Sequence, residues 1–183
     1  MSFVFVSGAA RSGKSEWAES YALSLAAENL VYIATARADD PEMRSRVELH
    51  KAARKDKGFK TLEQYADVEG AAPLLLPGST VLLECLGTLL ANEMFGGCEI
   101  GTPDLEAPDI YVRKIFDDVW ALNSRSAHLL VVSNDIFSDG VVYDEPTERY
   151  RRALGALHVK LAGVADLAVE CAAGRVRYAK SIS

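Results

Sequence analysis

Short apolar runs alternate along this chain with longer stretches in which apolar residues return every three or four positions. Phe3–Val6, Leu30–Ala34, Thr80–Leu86 and His128–Ser133 are the short runs, dense in Val, Leu and Ile, and they predict strands. Thr80–Leu86 is continuous rather than alternating, as a strand covered on both faces should be. Helical spacing runs through Ser15–Ala27, where Trp17, Ala18, Tyr21, Ala22 and Leu25 share a face. It returns in Pro41–Arg54, with Asp40 as cap, Pro41 in the first turn, and Met43, Val47 and His50 on one side. Leu86–Phe95 is a further helix, as are Asp109–Ser124 (its period carried by Val112, Ile115, Phe116, Val119 and Trp120) and Thr147–Ala162 (Tyr150, Leu154, Leu157 and Leu161 inward). Tyr65–Ala72 reads as a short helix before a turn at Pro77-Gly78, and Gly96–Pro108 as a loop. Ala165–Cys171 and Val176–Ala179 read as closing strands around a turn at Gly174. Strands alternating with helices over long connections predict an α/β three-layer sandwich with a mostly parallel central sheet.

Composition narrows the class. The 183 residues suit one domain, spanning 1–183, and 49% hydrophobic with 25% charged residues describes a folded chain. The longest apolar runs are far too short for a bilayer, and the first residues carry no basic leader, so no membrane partner and a cytoplasmic location are expected. A net charge of −6 argues against a general nucleic-acid surface, although Arg37 to Lys60 is locally basic. Cys85, Cys98 and Cys171 lack metal-ligand spacing, and Cys85 and Cys171 fall in apolar segments that suit small core residues.

The chemistry begins at Gly8-Ala9-Ala10-Arg11-Ser12-Gly13-Lys14-Ser15, a complete G-x-x-x-x-G-K-[ST] loop between a buried strand and an amphipathic helix. Its backbone amides and the helix N-terminus favour phosphate. Lys14 would bridge the β- and γ-phosphates, and Ser15 would ligate Mg²⁺. Such a site also needs an acid at a neighbouring strand end to hold the metal or its water, and Glu84 closes Val81-Leu82-Leu83 in that way. The predicted fold is therefore a P-loop NTPase sandwich of the RecA-like kind.

The loop resembles the G-G-A-R-S-G-K-S loop of the bifunctional adenosylcobinamide kinase/adenosylcobinamide-phosphate guanylyltransferases of cobalamin assembly, with Arg11-Ser12 the selective part. The resemblance continues in family order. It takes in Tyr32-Ile33-Ala34-Thr35-Ala36, the segment Glu42 to His50, Thr61-Leu62-Glu63, and Val81 to Leu86 with Asn92. Val131-Val132-Ser133-Asn134, Ala165-Asp166 and Lys180 complete it. It implies phosphorylation of adenosylcobinamide and then transfer of GMP from GTP to adenosylcobinamide phosphate, with GTP, ATP and Mg²⁺ as cofactors. By the same resemblance His50 carries GMP covalently. Ala34-Thr35-Ala36 and Lys51, Ala52, Ala53 and Arg54 line the nucleotide, and Glu63 and Glu84 contact it. A small homo-oligomer is also implied.

The residues suit those roles. A neutral imidazole can attack the α-phosphorus, and the resulting phosphoramidate is labile enough to pass GMP on. Arg46, one helical turn before His50, and the basic Lys51, Arg54 and Lys55 can neutralise triphosphate charge. Taken alone, a lone histidine, a charge run and a carboxylate such as Glu63 also suit an ordinary solvated surface. His128 and His158 match no nucleophile and are expected to be structural. A P-loop kinase with another small alcohol, and a nucleotide-dependent regulatory protein, are the alternatives.

The chain departs from the family pattern in places. After the fourth strand Phe137 and Asp139 stand where the family has glycines, and the proline that closes the family's segment is missing. His158 stands for an asparagine, Leu49 for a second histidine, and Gly58-Phe59-Lys60 for the tryptophan that precedes the family's block at Thr61-Leu62-Glu63. The 134–143 loop must therefore take a path of its own.

Overall fold

The computed structural model describes residues 1–25, 28–37, 57–96, 108–137 and 140–181. Seven strands form one sheet: β1 (Ser2–Gly8), β2 (Leu30–Ala34), β3 (Phe59–Glu63), β4 (Thr80–Glu84), β5 (His128–Asn134), β6 (Leu167–Ala172) and β7 (Arg175–Lys180). Their order is β3-β2-β4-β5-β1-β6-β7. Every neighbouring pair is parallel except β6–β7. The helices are α1 (Lys14–Ser24), α2 (Leu86–Phe95), α3 (Pro108–Arg125) and α4 (Glu145–Val164), with a 3-10 helix over Val68–Leu74.

Alternation within the strands builds two cores. Val4, Val6, Leu82, Leu130 and Val132 point to the face covered by α1, where Ala18 and Ala22 let the helix lie close. Phe3, Phe5, Ile33, Leu83, Leu129 and Val131 point to the opposite face, covered by α2, α3, α4 and the 3-10 helix. The three-layer α/β sandwich expected from the sequence is what forms.

Several details differ from expectation for physical reasons. β3 carries only Phe59 and Leu62 as apolar anchors and pairs only with β2, so its edge position leaves little pattern to read. β4 stops at Glu84 because Cys85 is the N-cap of α2, which claims Leu86. The inward stripe of α3 is Val112, Ile115, Val119 and Leu122. Trp120 is instead 48% exposed and stacks on Phe116 at 6.2 Å. α4 begins two residues earlier than its apolar period, because the Asp144 carboxylate accepts the Thr147 amide at 3.1 Å and Pro146 suits the first turn. The expected Pro41–Arg54 helix and most of the Gly96–Pro108 loop lie outside the described residues.

Candidate functional site

Parallel strands deliver their C-terminal ends to one edge of the sheet, where Gly8, Ala34, Glu63, Glu84 and Asn134 all arrive. β1 hands over there to the phosphate loop. Two of its residues turn through the left-handed region, Arg11 at φ 60° and Gly13 at φ 90°, so the loop doubles back over the start of α1. The Ser12 amide donates to Ala9 O at 3.2 Å, and the Gly174 amide of the β6–β7 turn donates to Ser12 O at 3.3 Å. Lys14 is 8% exposed, and its Nζ donates to Ala9 O at 3.2 Å, folded across the mouth of its own loop.

Gly8 is required for space rather than for backbone freedom. A Cβ there would stand 2.4 Å from the Cys171 carbonyl oxygen and 2.5 Å from Ser12 Oγ. Since a backbone carbonyl cannot step aside cheaply, Gly8→Ala is expected to destabilise the fold by about 1–3 kcal/mol. A urea-denaturation midpoint lowered at unchanged slope would register this.

Ser15 and Glu84, assigned from sequence to one metal site, do meet: Ser15 Oγ donates to Glu84 Oε1. The other carboxylate oxygen accepts from the Tyr32 hydroxyl at 2.9 Å, a partner that sequence reasoning missed. The available signal was a phenol amid Leu30, Val31, Ile33 and Ala34 on the α1 face of β2, since a buried hydroxyl demands a partner. The Glu84–Cys85 peptide bond is cis.

Thr35 is fully buried and ties β2 to β4: its Oγ1 donates to Cys85 O at 3.0 Å and accepts from the Cys85 amide at 2.8 Å. Asn92 Nδ2 donates to Thr35 O at 2.8 Å and to Tyr65 O at 2.9 Å, pinning the segments that leave β2 and β3. Ala34 and Ala36 are half-buried beside this network. Glu63 is exposed at the end of β3 and accepts from the Tyr65 hydroxyl at 2.5 Å. Two strand spacings, about 10 Å, separate β3 from β4, whose Glu84 meets Ser15 beside the loop. His50, Lys51, Ala52, Ala53 and Arg54 lie outside the described residues.

Two departures from the family pattern touch one another. The Phe137 ring meets His158 edge-on at 5.2 Å and lies 3.6 Å from where a Cβ on Gly155 would be. His158 in turn packs edge-on against Phe5 at 5.1 Å and shares a 2.7 Å hydrogen bond with Ser133 Oγ. The bulk gained at 137 and the imidazole at 158 thus form one packed unit behind the strand that flanks the phosphate loop. Burial pulls the His158 imidazole down to about 4, against a smaller opposing pull from Asp135.

Above pH 6.5 that ring is neutral in both folded and unfolded chains. Between 6.5 and about 4 only the unfolded chain takes up the proton, so stability falls with pH, by about 3 kcal/mol at the lower end. His158→Asn is expected to flatten this dependence in denaturation curves taken across that range. His128 is structural as expected, bonded through Nδ1 to Ser2 Oγ at 2.7 Å. Cys171 is core, whereas Cys85 is half-buried at the N-cap of α2.

Among the described residues one group of carboxylates has metal-ligand proximity, Asp67, Glu93 and Asp118. Lys114 Nζ already sits at 2.8, 2.7 and 3.0 Å from them. Burial pulls the Lys114 pKa down, but the three carboxylates outweigh it and hold the ammonium well above its usual range. This is an ion cluster pinning α3 to α2, away from the phosphate loop. No helix among the described residues is long and apolar enough to cross a membrane.

Known proteins share this chain's pattern over nearly its whole length. The profile of the family described as cobinamide kinase / cobinamide phosphate guanyltransferase matches residues 4–177. The bifunctional adenosylcobalamin biosynthesis protein CobU of Salmonella typhimurium is 30% identical over 168 residues, covering 89% of this chain and 91% of that protein. Its counterpart in Escherichia coli is 29% identical over the same shares. Among solved structures, the flagellar accessory protein FlaH from Methanocaldococcus jannaschii overlaps with a TM-score of 0.45 at 10% identity, covering 99% of this chain and 79% of that one. A phosphate loop joined to a strand-end carboxylate and a family match from the first strand to the last agree: this chain belongs to the cobinamide kinase/cobinamide phosphate guanyltransferase family, enzymes that transfer phosphoryl and nucleotidyl groups.

Proposed function

We propose that this chain phosphorylates the aminopropanol hydroxyl of adenosylcobinamide, using ATP or GTP, and then guanylylates the product from GTP to give adenosylcobinamide-GDP. The observation that carries this reading is the joining of the phosphate loop to Glu84 through Ser15 in a chain that matches the family over residues 4–177. In the first step the acceptor oxygen bonds to the γ-phosphorus, the bond to the bridging oxygen breaks, and the hydroxyl proton departs with the nucleoside diphosphate as the other product. Gly8, Ala9, Ala10, Arg11, Ser12 and Gly13 would wrap the phosphates with backbone amides, and Lys14 would swing from Ala9 O to the β- and γ-phosphates.

The donor set suits Mg²⁺, because a serine hydroxyl and a carboxylate stand together beside the loop and both are hard oxygen ligands. Ser15 would ligate the cation and Glu84 would hold it or its water, and the cation would neutralise charge on the phosphates. In the second step the His50 imidazole bonds to the α-phosphorus of GTP and pyrophosphate departs. A phosphate oxygen of adenosylcobinamide phosphate then displaces the imidazole and carries GMP away. Ala34, Thr35, Ala36, Lys51, Ala52, Ala53, Arg54 and Glu63 would line the nucleotide in this scheme. The working form is a cytoplasmic homo-oligomer of single-domain subunits, with no nucleic-acid or membrane partner.

The test is turnover with adenosylcobinamide and γ-labelled triphosphate, followed by unlabelled GTP. Label on the corrinoid and then a corrinoid-GDP product support the reading. Hydrolysis that ignores the corrinoid overturns it.

A further inference from the structure

Glu84 has both carboxylate oxygens engaged, by donors from different elements. Ser15 Oγ, at the start of α1, donates to Oε1. The Tyr32 hydroxyl, from the neighbouring strand, donates to Oε2 at 2.9 Å. Tyr32 pairs with Leu82 in the β2–β4 register, two residues before Glu84, so both side chains lie on the α1 face. The phenol is held firmly: Tyr32 is 5% exposed, and its ring packs edge-on against Phe59 at 6.4 Å.

The two donors are not equivalent. Ser15 belongs to the phosphate loop, and its hydroxyl must also offer a lone pair to a cation. Tyr32 belongs to the sheet, has no place in the loop, and does not depend on what the loop binds. A carboxylate tied at one oxygen to a rigid strand cannot rotate about its terminal bond, which leaves Oε1 as the oxygen facing the loop. We infer that Tyr32 is the positioning residue of the metal–phosphate site, fixing the rotation of Glu84 so that one oxygen is presented to Ser15 and the cation beside it. The inference rests on the assignment of Glu84 to that cation. Partners that orient a ligating carboxylate are typically worth on the order of 10–100-fold in metal affinity or activity.

The experiment is a Mg²⁺ titration of the full chain with a non-hydrolysable triphosphate analogue, read as heat or fluorescence rather than as turnover. Tyr32→Phe keeps the ring and removes only the hydroxyl. It is expected to raise the Mg²⁺ half-saturation about tenfold or more, with analogue affinity in EDTA and the melting temperature near those of the wild type. Tyr32→Leu is expected to show at least the same shift. A shift with Leu but not with Phe would assign the effect to ring packing and overturn the proposal. Glu84→Gln separates this inference from the reading beneath it. If Glu84→Gln shifts the Mg²⁺ dependence and Tyr32→Phe does not, the role of Tyr32 falls alone. If neither shifts it, the assignment of Glu84 to the cation falls with it.

Discussion

Replacing His50 by alanine is expected to abolish formation of corrinoid-GDP while leaving phosphorylation of the corrinoid largely intact. The two steps differ in what they ask of the protein. Phosphoryl transfer to an alcohol needs the triphosphate positioned and its charge met, which under the proposed function falls to the loop, Lys14 and the Ser15–Glu84 pair and asks for no protein nucleophile. Nucleotidyl transfer through the enzyme needs an atom that attacks the α-phosphorus and then leaves again, and an imidazole nitrogen does both. His128 and His158 cannot substitute. His128 is engaged with Ser2, and His158 is held among Phe5, Phe137 and Ser133. The two activities measured side by side on the variant check this. Equal loss of both would mean that His50 serves the fold or the shared nucleotide site.

Lys14→Ala is expected to strike both steps together. The ammonium is buried at the loop mouth and bonded to Ala9 O, and under the proposed function its removal takes away the positive charge that would meet the β- and γ-phosphates. A loss on the order of 10²–10³ in kcat/KM for phosphorylation is expected, with GTP binding weakened in parallel. Lys14→Arg is not expected to rescue it, because a planar fork does not fit where a point charge was cradled. Unfolding measurements should place the variant near the wild type, since the lysine closes a loop rather than a core. Normal binding with normal turnover would remove Lys14 from the site.

Much of this was legible because buried parallel strands announce themselves. β2, written Leu-Val-Tyr-Ile-Ala, and α2, written from Leu86 to Phe95, have the bounds that their apolar runs predict. The loop was legible because its glycine and lysine spacing is dictated by phosphate geometry, which few other structures require. β3 was not, since an edge strand with Lys60, Thr61 and Glu63 among its five residues sets a single apolar anchor on each face, Phe59 on one and Leu62 on the other. Trp120 fits the apolar period without joining the buried stripe: a period of 3.6 tolerates either neighbour of the true stripe, and tertiary packing chose Val119 and Leu122.

Long-range polar partners were the least legible. The Tyr32–Glu84 bond joins residues 52 positions apart, and nothing local to either residue names the other. The pairing of Phe137 with His158 is similar. Along the chain they are two separate departures from a family pattern, and in space they are one contact. Most of the segment that joins β2 to β3, His50 included, lies outside the described residues, so its role rests on sequence and chemistry.

The most direct test of the account is the intact mass of the protein after incubation with GTP and Mg²⁺, before and after addition of adenosylcobinamide phosphate. The account predicts a gain of one guanylyl group that is stable to alkali, labile to acid, absent in His50→Ala, and discharged when the corrinoid phosphate is added. A protein that makes corrinoid-GDP without ever carrying the group, or that carries it equally well as His50→Ala, would contradict it.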